Sequence, residues 1–171
     1  FLERKAIPDA DGDDRYFTPA TVDLFQIVKQ HIDMASGVSS GRLLSDIIGE
    51  CVTNISSFQK GLLRLVEAES LKYFEKPESA NPYFEDYVIM MGNSSLRWIE
   101  NMQNLSGLMD DLLKPEFLGP AQKLLKTASD GFLGIAKATT KTLVDLIVNA
   151  VKSCLSQLFA LEWYSDTVVE T

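Results

Sequence analysis

The chain has 171 residues, of which 46% are hydrophobic and 23% are charged, and its net charge is −8. This composition is typical of a globular protein, and the length suits one domain with one core. The negative charge argues against a nucleic-acid-binding protein, which needs a basic surface, and an anionic membrane would repel it.

Residues 1–17 concentrate turn-forming residues and like charges, so we predict a flexible segment or the linker from a preceding element. The spacing of Asp9, Asp11 and Asp13 suggests a calcium loop. An EF-hand also needs a glycine at its sixth position and a glutamate at its twelfth, which this stretch does not supply. We therefore predict no metal site here.

The first helix begins with Thr18 as a candidate N-cap and Pro19 at the first helical position, where its missing N–H costs nothing. We predict that it ends at Ser36 and Gly37. Its predicted apolar face consists of Val22, Phe25, Val28, Ile32 and Ala35. Such a face must pack on other helices.

The longest regular pattern covers residues 42–74, where one apolar row recurs at spacings of 3 and 4 residues. That row consists of Leu44, Ile48, Cys51, Ile55, Phe58, Leu62 and Leu65, and a second row widens it with Leu43, Ile47, Val52, Leu63 and Val66. A stripe this wide requires at least two covering helices. We predict that the helix ends at Lys76-Pro77.

A third helix is predicted from Pro82, capped by Asn81, to Leu112, with a kink or break near Gly107. Residues 114–120 contain two prolines and predict a second break. The last helix should start at about Ala121.

Small residues over 136–142 predict that the last helix approaches a neighbour closely, with heavier packing after Leu143. The apolar run 143–159 is interrupted by Asp145, Asn149 and Lys152, and we predict that it is too short and too polar to span a bilayer. No alternating run predicts a strand. The expected fold is all-α, an elongated bundle of about four long antiparallel helices over residues 18–161, with 162–171 linking into a further helix.

The sequence offers little chemistry. His31 is the only histidine, which excludes two-histidine metal motifs and the paired Glu-x-x-His motifs of di-iron bundles. We expect a surface or half-buried imidazole. The carboxylates of Asp110 and Asp111 point about 100° apart on a helix, which favours a solvated edge. We predict no enzyme, and no catalytic, cofactor-binding or metal-binding residues.

The set Met90, Met91, Met102 and Met109 has helical spacing beside Trp98, which favours core packing over an adaptable binding surface.

The two cysteines and three Asn-x-Ser sequons are also compatible with a secreted protein. Cys51 and Cys154 each lie in an apolar stripe, and we expect two free core thiols in a reducing compartment rather than a disulfide. Asn-x-Ser sequons occur at Asn54, Asn93 and Asn104, yet each lies inside a predicted helix, whereas glycan acceptors favour loops.

A family resemblance begins in the first helix and is most distinctive at the chain's end. Residues 22–35, 87–93, 129–132, 141–147 and 155–164 resemble exocyst component three, the Sec-six family of subunits. There a helix ends in a Leu-Phe step and is shortly followed by Trp-Tyr, here Trp163-Tyr164. The resemblance extends from Tyr16 onward.

The resemblance implies a rod of stacked helical bundles and a non-catalytic scaffold. It further implies a cytoplasmic complex, recruited peripherally to plasma-membrane sites of secretion, that tethers secretory vesicles before SNARE-mediated fusion. Implied partners are other exocyst subunits and SNARE or SNARE-regulator proteins, without nucleic acid, cofactor or direct membrane insertion.

Two alternatives stay open at this stage. The acidic four-helix pattern, cysteines and sequons also fit a secreted cytokine-like four-helix bundle. A small-molecule enzyme or carrier would need a roomy buried pocket with convergent polar groups.

Overall fold

The computed structural model describes residues 17–160, in which all regular structure is helical. The elements are α1 (Pro19–Ser36), α2 (Arg42–Glu75), one 3-10 turn (Pro77–Ser79), α3 (Phe84–Leu112) and α4 (Pro115–Ala160). The predicted all-α bundle of four helices is confirmed.

The four helices surround one core in the order α1, α2, α4, α3. Helix α4 contacts α3 most extensively and then α2, whereas α1 contacts α2 and α3. The backbone N–H of Lys114 donates to the carbonyl of Ser40 at 2.9 Å, which places the α1–α2 loop and the α3–α4 turn at the same end. Consecutive helices thus run in opposite directions, and the neighbours α2 and α4 run parallel.

The apolar face of α1 differs from the prediction at two positions, Val22, which is exposed, and Phe25, which is only half-buried. Its buried residues are Ala20, Thr21, Leu24, Val28, Ile32 and Ala35. Val22 is 55% exposed, because the stripe runs through Thr21, about 100° away around the helix. The Thr18 hydroxyl makes no cap hydrogen bond and lies 3.1 Å from that of Thr21.

Helix α2 begins at the predicted residue and ends one residue later than predicted. Its buried residues are Leu44, Ile48, Val52, Ile55, Phe58, Gln59, Leu62 and Val66. Cys51 and Leu65 are only half-buried, and Leu43 is 47% exposed. The stripe is therefore narrower than the two predicted rows together.

Helix α3 starts at Phe84, two residues after Pro82, and the N–H of Tyr83 donates to Oδ1 of Asn81 at 2.9 Å. The helix is continuous across Gly107, so of the predicted kink or break, the break is wrong. Glycine costs a helix about 1 kcal/mol relative to alanine. Burial of Leu105 and Met109 on either side outweighs that cost.

Helix α4 also starts earlier than predicted. Pro115 takes the first helical position and Pro120 lies inside the helix, so the predicted break over 114–120 reduces to a turn at Leu113 and Lys114. Pro120 removes one helical hydrogen bond near the N-terminus. Burial of Ala121 and Leu125 directly after it holds the helix on the core.

An aromatic stack joins three helices at the centre of the core. Phe58 of α2 stacks on Trp98 of α3 with ring centroids 4.9 Å apart, and Phe132 of α4 meets Trp98 edge-on at 4.2 Å. Met90, Met91, Met102 and Met109 are buried, which confirms core packing for this set. The stack fixes the lateral positions of α2, α3 and α4.

A second contact between α2 and α4 depends on a glycine. The buried side chain of Gln59 donates through Nε2 to the carbonyl of Ala128 at 2.6 Å. It lies over Gly131, where an added Cβ would come within 2.6 Å of Gln59 Cδ. An added methyl group must therefore displace the Gln59 amide.

Gly131→Ala should lower the free energy of unfolding, whereas Gly134→Ala should raise it. Both glycines lie inside α4, and a Cβ at Gly134 meets nothing within 4 Å. Alanine gains about 1 kcal/mol of helix propensity at each position, but at Gly131 the loss of the Gln59 hydrogen bond opposes this by about 1 to 3 kcal/mol. Urea unfolding of the two variants measures the difference. Equal free energies of unfolding for Gly131→Ala and Gly134→Ala would contradict the contact between Gln59 and Gly131.

Candidate binding surface

The second half of α4 has a long uncovered apolar surface. No residue of α4 after Thr142 is fully buried, and all of residues 147–160 are exposed. The exposed apolar side chains include Val144 (52%), Ile147 (64%), Val148 (41%), Val151 (51%), Leu155 (45%) and Phe159 (78%). The predicted heavier packing after Leu143 is therefore wrong within the described chain. Residues 147–160 extend about 20 Å past the last contacts with α2 and α3.

This half of α4 is amphipathic. Asp145, Asn149, Lys152 and Ser156 recur at spacings of 4, 3 and 4 residues and so share one face. Ile147 and Val151 lie on the opposite side, and Val148 and Phe159 border the polar row. The single acidic side chain, Asp145, and the single basic one, Lys152, leave this half with no net charge. A wide, uncharged apolar face of this kind is suited to contact with another protein surface.

Helix α4 also satisfies a length and composition criterion for crossing a membrane, alone among the helices of residues 17–160. It contains an 18-residue window of mean hydropathy 1.4, of which 6% is buried. By length and composition, the prediction that residues 143–159 are too short and too polar to span a bilayer is therefore wrong. The polar row through Asp145, Asn149 and Lys152 would nevertheless lie in hydrocarbon in a spanning helix, which favours protein contact.

Earlier in α4, the predicted close approach is confirmed. A Cβ added to Gly92 of α3 would come within 3.1 Å of Thr139 Oγ1 on α4. Ala136 and Thr139 are buried along this contact, and the Thr142 hydroxyl lies 3.3 Å from the Ser70 hydroxyl on α2. Small side chains let the two backbones approach here.

An apolar groove lies on the outer side of this α3–α4 contact, away from the core. Its volume is about 550 Å³, and it is open to solvent. Its lining includes Ile89, Gly92, Asn93 and Leu96 of α3 and Leu133, Ala136, Lys137, Thr139, Thr140, Lys141 and Leu143 of α4. This shape suits a row of side chains from a partner better than an enclosed small molecule.

The structure places the candidate chemical residues apart from one another. His31 is exposed on α1 with Nδ1 2.7 Å from the carbonyl oxygen of Ile27. Asp110 is exposed and accepts a hydrogen bond from Gln122 Nε2 at 3.1 Å. Within residues 17–160, no three His, Cys, Asp or Glu side chains are grouped so that they could hold a metal. The Asp9, Asp11 and Asp13 spacing lies outside the described residues.

The two cysteines are free, but only one lies near the core. Cys51 is half-buried, and burial, followed by the negative charge of Glu50, raises the pKa of its thiol. The Cys51 thiol is therefore protonated near neutral pH and is a poor nucleophile. Cys154 is exposed, because it lies on the uncovered half of α4, so the expectation of a core thiol there is wrong.

The three sequon asparagines lie inside helices, as predicted. Asn54 is on α2, and Asn93 and Asn104 are on α3. Trp163-Tyr164, the distinctive corner of the resemblance, lies outside the described residues.

Comparison with known proteins identifies the family. The family model described as exocyst complex component Sec6 matches residues 1–171. The chain belongs to the Sec6 family.

Two curated Sec6 relatives align with nearly the whole chain. Exocyst complex component sec6 of Schizosaccharomyces pombe is 24% identical over 168 residues, which is 98% of this chain and 22% of the relative. Exocyst complex component SEC6 of Saccharomyces cerevisiae is 23% identical over 177 residues, which is 96% of this chain and 22% of the relative. The chain thus spans about a fifth of the length of the relatives.

The fold is also similar to a solved Sec6 structure. The crystal structure of the C-terminal domain of the exocyst subunit Sec6p matches with a TM-score of 0.70 and 21% identity, covering 88% of this chain and 41% of that domain. This likeness supports the helical-bundle fold. The predicted resemblance is therefore confirmed, and the family match favours an exocyst subunit over a cytokine-like bundle.

Proposed function

We propose that this Sec6 segment is a non-catalytic scaffold within an exocyst subunit. The complete subunit would help to hold secretory vesicles at the plasma membrane before SNARE-mediated fusion. The observation that carries the proposal is the Sec6 family match over residues 1–171. The four packed helices and the long α4 fit such a role, because a scaffold needs stiff elements and contact surface.

The uncovered half of α4 has a place in this proposal. In this proposal α4 joins the packed part of the bundle, which ends near Leu146, to another part of the same subunit. Its apolar face is supported as a packing surface by the exposure of Ile147 and Val151 and by the polar row opposite them. Covering this face would stabilise the contact by about 25 cal/mol for each Å² of apolar surface removed from water.

The proposed partners are other exocyst subunits, together with SNARE or SNARE-regulator proteins. The proposed location is the cytoplasm, with peripheral recruitment to sites of secretion at the plasma membrane. An acidic protein gains no attraction from anionic lipids, and the net charge of −8 therefore supports recruitment through protein contacts.

Affinity purification of the full-length protein tests its place in the complex. We expect the other exocyst subunits to be recovered with it, and acute depletion of the protein should cause secretory vesicles to accumulate below the plasma membrane. Recovery of the folded protein alone, together with normal secretion after depletion, would contradict the proposal.

A further inference from the structure

The groove between α3 and α4 is a second uncovered surface, and its α4 wall extends to Leu143, next to the exposed half of α4. Ile89 and Leu96 of α3 are 44% and 52% exposed, and Leu133 of α4 is 40% exposed. Ile89 and Leu96 are seven residues apart, so they project on one side of α3. The groove thus has an apolar ridge along each wall.

The threonine hydroxyls at the floor of the groove already donate hydrogen bonds to the backbone. The hydroxyl of Thr139 donates to the carbonyl of Ala136 at 2.9 Å, and that of Thr140 donates to the same carbonyl at 2.8 Å. Gly92 contributes no side chain. A ligand here gains contact mainly through apolar surface, and the polar side chains lie along the edge of the groove and do not converge on one point.

The two walls have the geometry that receives a helix. Side-chain ridges of a third helix pack into the groove between two neighbouring helices, and helix-in-groove binding uses anchors at positions i, i+3 or i+4 and i+7. The described chain has no strand edge, so addition of a β-strand has no template in it.

The positive charge along the α4 wall of the groove favours a partner with negatively charged side chains. Lys137 and Lys141 line the groove four residues apart on the same side of α4. Neither lysine belongs to an ion pair within residues 17–160, so both ammonium groups are available to a partner's carboxylates. A basic edge therefore lies beside an apolar groove in a chain whose net charge is −8.

We infer that this groove binds one amphipathic helix of another exocyst subunit, with carboxylates flanking its apolar row. The apolar row enters between Leu96 and Leu133, and the carboxylates meet Lys137 and Lys141. This inference rests on the proposed function for the identity of the assembly, whereas the groove and its charges come from the fold.

Photocrosslinking in the full-length protein within its assembly tests the inference. Leu133 is replaced by p-benzoylphenylalanine, and the crosslinked segment is identified by mass spectrometry. Met34, which is 66% exposed on α1, serves as the control position. We expect position 133 to crosslink to a helix of another subunit that carries acidic residues beside apolar ones, and position 34 not to crosslink to that helix.

Charge reversal tests the role of the lysines. Lys137→Glu with Lys141→Glu should reduce the crosslink by about tenfold, because attraction to carboxylates becomes repulsion. Lys60→Glu with Arg64→Glu is a matched control, since these exposed residues have the same spacing on α2. It should leave the crosslink unchanged.

A crosslink from position 133 to lipid, to another part of the same polypeptide, or to nothing would overturn the inference. So would equal loss of the crosslink in the two charge-reversal variants. If affinity purification recovers the exocyst subunits while position 133 gives no crosslink, the groove inference fails and the proposed function stands. If no subunits are recovered, the proposed function fails as well.

Discussion

Phe58→Ala is expected to lower the free energy of unfolding by about 3 to 5 kcal/mol. Phe58 is 7% exposed and stacks on Trp98, which in turn contacts Phe132. Removing the ring leaves a cavity where α2, α3 and α4 meet, and it removes aromatic contact as well as apolar burial. Chemical unfolding monitored by circular dichroism measures the loss.

Phe159→Ala is the matched control for Phe58→Ala. Phe159 is 78% exposed at the end of α4, so the same substitution there should change the stability of the 171-residue chain by less than about 0.5 kcal/mol. A loss below about 1 kcal/mol for Phe58→Ala would show that the seam of α2 does not face the core.

Raising the pH from about 10 to 12 should weaken the fold through Tyr87. Burial, followed by the negative charge of Glu69, raises the pKa of Tyr87 from its ordinary value of 10.0 to about 12. Tyr87 is 3% exposed, so ionising it places a charge in the interior.

The sign of this effect follows from proton linkage. The unfolded chain releases the Tyr87 proton at a lower pH than the folded chain does, so alkaline conditions favour unfolding. The stability contribution is fully present below the unfolded pKa and is lost as the pH rises through the folded pKa. A shift of about two pKa units corresponds to roughly 2 to 3 kcal/mol.

Comparison with Tyr87→Phe isolates the effect, because phenylalanine cannot ionise. The free energy of unfolding of the original chain should fall relative to that of Tyr87→Phe across this pH range. Tyr83→Phe is the control, since Tyr83 is 61% exposed. If the original chain and Tyr87→Phe lose stability in parallel, the pKa of Tyr87 is not raised by the fold.

Hydrophobic periodicity predicted the helices because the pattern is local. Leu44, Ile48, Ile55 and Leu62 recur at helical spacing and are buried in α2. Proline was a less reliable signal. Pro115 starts α4 as a first-position proline should, whereas Pro120 lies inside the helix, because burial of the following residues outweighs one lost hydrogen bond.

The surfaces were harder to predict because they depend on what covers an apolar stripe. Ile147 and Val151 are apolar residues at helical spacing like those in the buried part of α4, but they lie beyond the reach of α2 and α3. The groove combines Ile89 with Leu133, which are far apart in sequence. No local pattern brings these residues together. The family resemblance, carried mainly by residues 155–164, predicted the assembly without predicting either surface.

Hydrogen exchange in the full-length protein within its complex tests the central claim most directly, namely that α4 joins this bundle to the rest of a scaffold subunit. The amides of residues 147–158, exposed on α4 here, should exchange as slowly as those around the buried Trp98 on α3, because helices that are covered on their apolar face open rarely. Rapid exchange of residues 147–158 in the intact complex, beside slow exchange around Trp98, would contradict the account.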